Sequence, residues 1–124
     1  MNIKTSTKEK FIVIYILEEN ITANMAAAIM DLANMATIEI PHLIINMAKV
    51  KETALPAATN LALLQQSFYD KNCSLLICEL HKNVEQFFED NELLDNLNTA
   101  PTESEAWDIL QMDEIERELL DGFD

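Results

Sequence analysis

Leu43-Ile44-Ile45-Asn46-Met47-Ala48-Lys49-Val50-Lys51-Glu52-Thr53-Ala54-Leu55-Pro56-Ala57-Ala58 is the stretch that decides the fold. It begins as a buried strand, passes through a short polar connection, and enters a helix with Pro56 near its first turn. Proline suits that place: its fixed backbone angle matches a helix, and its missing N–H would have had no intrahelical partner. In α/β domains a strand-to-helix turn of this kind is where ligands, phosphates and partners act. Ala54, Leu55, Pro56 and Ala57 offer no hydroxyl, carboxylate, thiol or glycine nest. The best-placed site in the chain therefore cannot do covalent work.

Working outward, Phe11 to Leu17 is β-branched, aromatic and almost unbroken in apolarity. That predicts a strand with little water on either face. Residues 2–6 predict a short edge strand before it. Asn20 to Asn24 supplies helix caps, and Met25, Ile29 and Leu32 share one helical face. Pro41 precedes the strand His42 to Met47. The helix after Pro56 turns Leu61, Leu64 and Phe68 inward and ends near Lys71-Asn72. Ser74 to Leu80 reads as a further strand, and Val84, Phe87 and Phe88 as the next helix. Leu94 to Leu97 reads as extended. Thr102 and Glu105 form a capping box for a last helix holding Trp107 and Leu110. This order predicts an α/β fold, a mixed sheet with helices mainly on one face. Gly122 is the only glycine. Asn20, Asn72, Asn91 and Asn98 are thus the expected turn residues, and a glycine-rich phosphate loop is excluded.

A chain of 124 residues with 49 % apolar content makes one domain with a core of its own. Its formal charge of −14 is unevenly spread. Residues 1–83 hold eight acids and seven lysines, whereas residues 84–124 hold fourteen acids and Arg117 alone. Such a surface repels nucleic acid and anionic membrane, so neither is expected as a partner. The basic start ahead of Phe11 runs into Glu18-Glu19 without a cleavage site, which points to a cytoplasmic protein. Residues 1–111 are expected to form the domain and residues 112–124 an acidic helical extension. Met112, Ile115 and Leu119 make an apolar stripe on that extension, suited to docking a partner groove.

Candidate chemistry elsewhere is thin. Cys78, His81 and His42 could meet around a metal, but they lack paired ligand spacing, and satisfied or exposed histidines are the expectation. Cys73 and Cys78 read as reduced thiols. No nucleophile and base stand together, so no catalytic residue, metal or cofactor is expected. Met25, Met30, Met35 and Met47 read as core filling.

The succession Ile45-Asn46-Met47, the helix from Ala57 with Leu61-Ala62-Leu63-Leu64, the strand Leu75-Leu76-Ile77-Cys78-Glu79, and the helix Asn83-Val84-Glu85-Gln86-Phe87-Phe88 resemble the STAS domain. That family comprises bacterial anti-sigma-factor antagonists and is also found in sulfate transporters. The resemblance runs without a gap from about Leu43 to Leu94, and more loosely from Phe11 through Trp107. It implies the STAS fold and a non-catalytic role in bacterial regulation through a protein partner, an anti-sigma kinase or another signalling protein. In the family the strand-to-helix turn reads Asp-Ser-Ser-Gly and a serine is phosphorylated. Ala54, Leu55, Pro56 and Ala57 stand at those places. Leu55 accepts no phosphoryl group, and Thr53 and Thr59 are the nearest hydroxyls. The expected contact surface combines Lys49, Lys51, Glu52, Thr53, Ala54, Leu55 and Pro56 with the stripe Met112, Ile115 and Leu119. A small-molecule or nucleotide-sensing pocket on the same fold is the alternative.

Overall fold

The computed structural model describes residues 2–8, 10–36 and 40–121. The last three residues of the expected extension, Gly122 among them, lie outside them. Strands β1 (Ile3–Thr7), β2 (Phe11–Ile16), β4 (His42–Asn46), β6 (Leu75–Cys78) and β7 (Thr99–Ala100) form one sheet in the order β1-β2-β4-β6-β7. β1 runs antiparallel to β2, and the other neighbours are parallel. β3 (Asn20–Ile21) and β5 (Glu52–Thr53) pair in parallel as a separate two-stranded ribbon. Helices α1 (Ala23–Ala36), α2 (Leu55–Asp70), α3 (Lys82–Asp90) and α4 (Glu103–Asp121) complete the chain.

Alternation along the strands sends side chains to two cores. Ile12, Ile14, Ile16, Leu43, Ile45, Leu75 and Ile77 point to the side covered by α1, α2 and α3, where they meet Ile29, Leu61, Leu64, Phe68 and Phe88. Burying a side chain of this size is worth about 1.5–3 kcal/mol. Phe11, Val13, Ile44, Leu76 and Cys78 point the other way, against Ala106 and Leu110 of α4. The Trp107 ring meets Phe11 edge-on, centroids 5.2 Å apart. Strands buried on both sides explain the near-continuous apolar runs, and three helices against one gives the expected bias to one face.

Several local expectations need correction. Leu94–Asn96 is a single 3-10 turn, Leu97 is extended as expected, and the paired strand comes later, at Thr99–Ala100. Asn72 takes the left-handed backbone predicted for it, but Glu79 and Glu92 fill the other such positions. Asn91 instead ends α3 with a negative φ, its side-chain amide donating to the Phe87 carbonyl at 2.8 Å. Met25 and Met30 pack against the larger core and Met47 lies within it, while Met35 is 71 % exposed on α1. Thr22 caps α1 through the Met25 amide, and Thr102 caps α4 through the Glu105 amide. α4 continues through residues 112–121 without a break.

Candidate functional site: the turn at the start of α2

The turn begins where β4 leaves the sheet. The Asn46 side-chain oxygen accepts the Ala48 amide at 2.9 Å, reversing the chain at once. Val50 and Met47 are buried and anchor the loop, while Ala48 and Lys49 face solvent. The amides of Lys51 and Glu52 both donate to the Glu19 carbonyl, and Lys51 also pairs with the Glu19 carboxylate at 3.3 Å. β5 then zips onto β3, and the Ala54 amide donates to the Ile21 carbonyl at 2.9 Å. From the other side, the His81 ring reaches the Ala48 carbonyl at 2.6 Å and the Asn83 side-chain amide bonds the Lys51 carbonyl. The loop is held at both ends by backbone bonds. It has a fixed shape without a single glycine.

α2 starts from Ala54, extended at φ −73° and ψ 150°, with no side chain capping it. Pro56 in the first turn contributes no N–H. The hydroxyls on either side are turned back on the chain: Thr53 Oγ1 donates to the Ala54 carbonyl at 3.3 Å, and Thr59 Oγ1 to the Leu55 carbonyl at 3.0 Å. What stands out to solvent is Leu55, with Pro56 beside it. Lys51, Glu52 and Thr53 line one side of a cleft of about 240 Å³, and Asn83, Val84 and Phe87 of α3 line the other. That is smaller than the roughly 300–1,000 Å³ usual for small-molecule sites.

Asn46 faces two ways. Besides holding the turn, its amide donates to the Glu103 carboxylate at 3.1 Å, and the Glu103 amide donates to the Glu79 carboxylate at 2.8 Å. The turn and the first residue of α4 thus share one side chain. Burial, with Glu103 nearby, pushes Tyr15 up to about 12. Burial, with Glu103 and Glu79, pushes the Cys78 thiol up to about 12 as well. Such a thiol stays protonated at neutral pH and is no nucleophile.

The two expected contact groups lie apart. α4 starts beside Asn46 at the carboxyl ends of the strands and runs back along the sheet. By Glu114 it has reached His42, at the amino end of β4. Met112, Ile115 and Leu119 are therefore at the opposite end of the sheet from Lys49–Pro56, on the outward side of α4. On its inward side α4 carries a polar latch. The buried His42 accepts the Ser74 amide on Nδ1 at 3.0 Å and so donates from Nε2 to Glu114, 2.6 Å away. Arg117 donates to Ser74 Oγ at 2.8 Å, and Ser74 Oγ also bonds Asp113. His42, Cys78 and His81 do not meet, and no group of acids, histidines and cysteines among the described residues has the makings of a metal site. The sequence offered one signal for the latch that went unused: Arg117 is the lone cation among fourteen acids.

With this geometry in view, the family-model match is direct. The STAS domain model covers residues 2–106, and the chain belongs to the STAS domain family. Among solved structures, the chain is similar to the anti-sigma factor antagonist SpoIIAA in its unphosphorylated form, with a TM-score of 0.72 and 13 % identity over 89 % of this chain and 96 % of that one. The Thermotoga maritima protein TM1081 gives 0.76 at 10 % identity, over 86 % of each chain. A point variant of Moorella thermoacetica RsbS gives 0.74 at 13 % identity, over 94 % and 99 %. At such identities the likeness is one of fold. No curated protein sequence matches the chain.

Proposed function

We propose that this chain is a non-catalytic protein–protein interaction module of bacterial regulation, working in the cytoplasm as anti-sigma-factor antagonists do, but without a phosphoserine switch. The contact surface is the turn Lys49–Pro56 with the adjoining side of α3. One observation carries the reading. At the start of α2 the four residues 54–57 bear no acceptor, both neighbouring hydroxyls are bonded back to backbone carbonyls, and an exposed leucine and proline stand in their place. A phosphoserine there would set a charge near −2 against the helix dipole and free amides. This turn offers an apolar contact instead, one that stays on. The raised Cys78 thiol and the small cleft fit binding better than catalysis or ligand sensing. No helix among the described residues is long and apolar enough to cross a membrane.

Calorimetric titration with a kinase-type anti-sigma factor from the same genome tests the reading. Leu55→Asp should weaken binding at least about tenfold, the loss of one central apolar contact, and leave the melting temperature nearly unchanged. Equal binding by the variant would place the contact elsewhere.

A further inference from the structure

We propose that the outward face of α4 is a second docking surface, separate from the turn, which takes a basic amphipathic helix of a partner protein. Met112, Ile115 and Leu119 are 63 %, 56 % and 59 % exposed and lie on the side of the helix opposite the buried Ala106 and Leu110. Their spacing of three and four residues makes one continuous stripe. α4 is fastened to the sheet by other residues, Asp113, Glu114 and Arg117, so the stripe is not needed to hold the helix in place. Ile115 also borders a groove of about 290 Å³, whose floor includes Phe11, Trp107 and Leu110. The stripe therefore leads into a depression deep enough for an apolar side chain.

Charge names the occupant. Glu105, Asp108 and Glu116 are exposed beside the stripe and enter no ion pair among the described residues. Residues 84–124 as a whole carry fourteen acids against Arg117. A second copy of this chain would set those acids against one another, and an anionic lipid surface or a nucleic acid would be repelled in the same way. A partner helix with apolar residues at i, i+3 and i+7, flanked by lysine or arginine, satisfies both the stripe and its rim.

The test uses the full chain and three synthetic helical peptides: a leucine/lysine amphipathic helix, the same helix with glutamate for lysine, and a leucine/lysine peptide scrambled to remove the stripe. Fluorescence anisotropy should show the first binding, with affinity falling as salt rises, because exposed charges are screened over roughly 10 Å at 0.1 M. The other two should bind at least about tenfold more weakly. Amide chemical-shift changes should centre on residues 108–119. The variant Met112→Ser, Ile115→Ser, Leu119→Ser should lose binding at least about tenfold with its melting temperature unchanged. Equal binding of the scrambled or acidic peptide would overturn the proposal. So would indifference to the triple substitution, or a dimer of the free chain that the substitution abolishes. None of these readouts involves the α2 turn, so their failure is distinct from failure of the reading given for that turn.

Discussion

The two faces of the sheet are covered by different means. Under α1, α2 and α3 the contact is mainly apolar, from Ile12 and Leu43 to Leu64, Phe68 and Phe88, with Gln65 of α2 accepting the Asn98 amide and Asn83 of α3 bonding the Lys51 carbonyl. Under α4 the apolar cluster is smaller, and position is set by pairs: Asn46 to Glu103 at one end, His42 to Glu114 and Ser74 to Arg117 at the other. The first arrangement buries Ile29, Leu61, Leu64, Phe68 and Phe88 but leaves Met35, Leu55, Leu63 and Tyr69 exposed. The second leaves Met112, Ile115 and Leu119 unused. Apolar surface left over on a helix already fixed by polar bonds is surface free for another molecule.

The largest expected effect is on the first face. Leu64→Asp would bury a charge without a partner and should cost at least ~3 kcal/mol, enough to prevent folding. A soluble variant with a near-normal melting temperature would show that this face is not the main core. On the second face, His42→Ala leaves the buried Ser74 amide without its acceptor and Glu114 without its donor. About 1–3 kcal/mol should be lost in urea unfolding. A loss as large as that of Leu64→Asp would erase the distinction between the faces.

The latch also predicts a pH dependence. The hydrogen bond from His42 holds the Glu114 carboxyl below its ordinary value of 4.5, with burial opposing it and the Lys10 and Arg117 charges adding to it. The folded state thus binds fewer protons than the unfolded state through the acid range. The stabilisation is complete above the ordinary carboxyl value and is lost as pH falls through the folded one. Glu114→Gln should lower the urea midpoint above that window and lose less than the wild type within it. Parallel curves would place the acid sensitivity in other carboxylates. The smallest effect belongs to the outward stripe: Met112→Ser, Ile115→Ser and Leu119→Ser together should shift stability by no more than about 0.5 kcal/mol. Deleting residues 112–124 is a less selective experiment, since it also removes Asp113, Glu114 and Arg117 from the latch.

The first face was legible in the sequence because its forces are periodic. Continuous apolar runs at Phe11 and His42, and the helical spacing of Leu61, Leu64 and Phe68, report burial directly. The turn was legible for the same reason, a strand on one side and Pro56 on the other. The latch was not. His42, Ser74, Asp113, Glu114 and Arg117 are brought together by chain reversal, with His42 and Glu114 standing 72 positions apart, and no local pattern encodes such a meeting. Nor could the chain by itself show that α4 runs antiparallel to its strands, which is what separates the stripe from the turn. Glu79 and Glu92 escaped notice because positive φ at glutamate is imposed by packing around it, not by the residue's own preference.

The proposed STAS contact surface carries no phosphorylation switch. It is tested most directly by incubating the protein and a serine-bearing STAS domain, in one tube, with a kinase-type anti-sigma factor and ATP, and reading both intact masses. A phosphate is expected on the control and none on this chain. A stoichiometric phosphate on Thr53 or Thr59 would contradict it and show the switch displaced by a few residues.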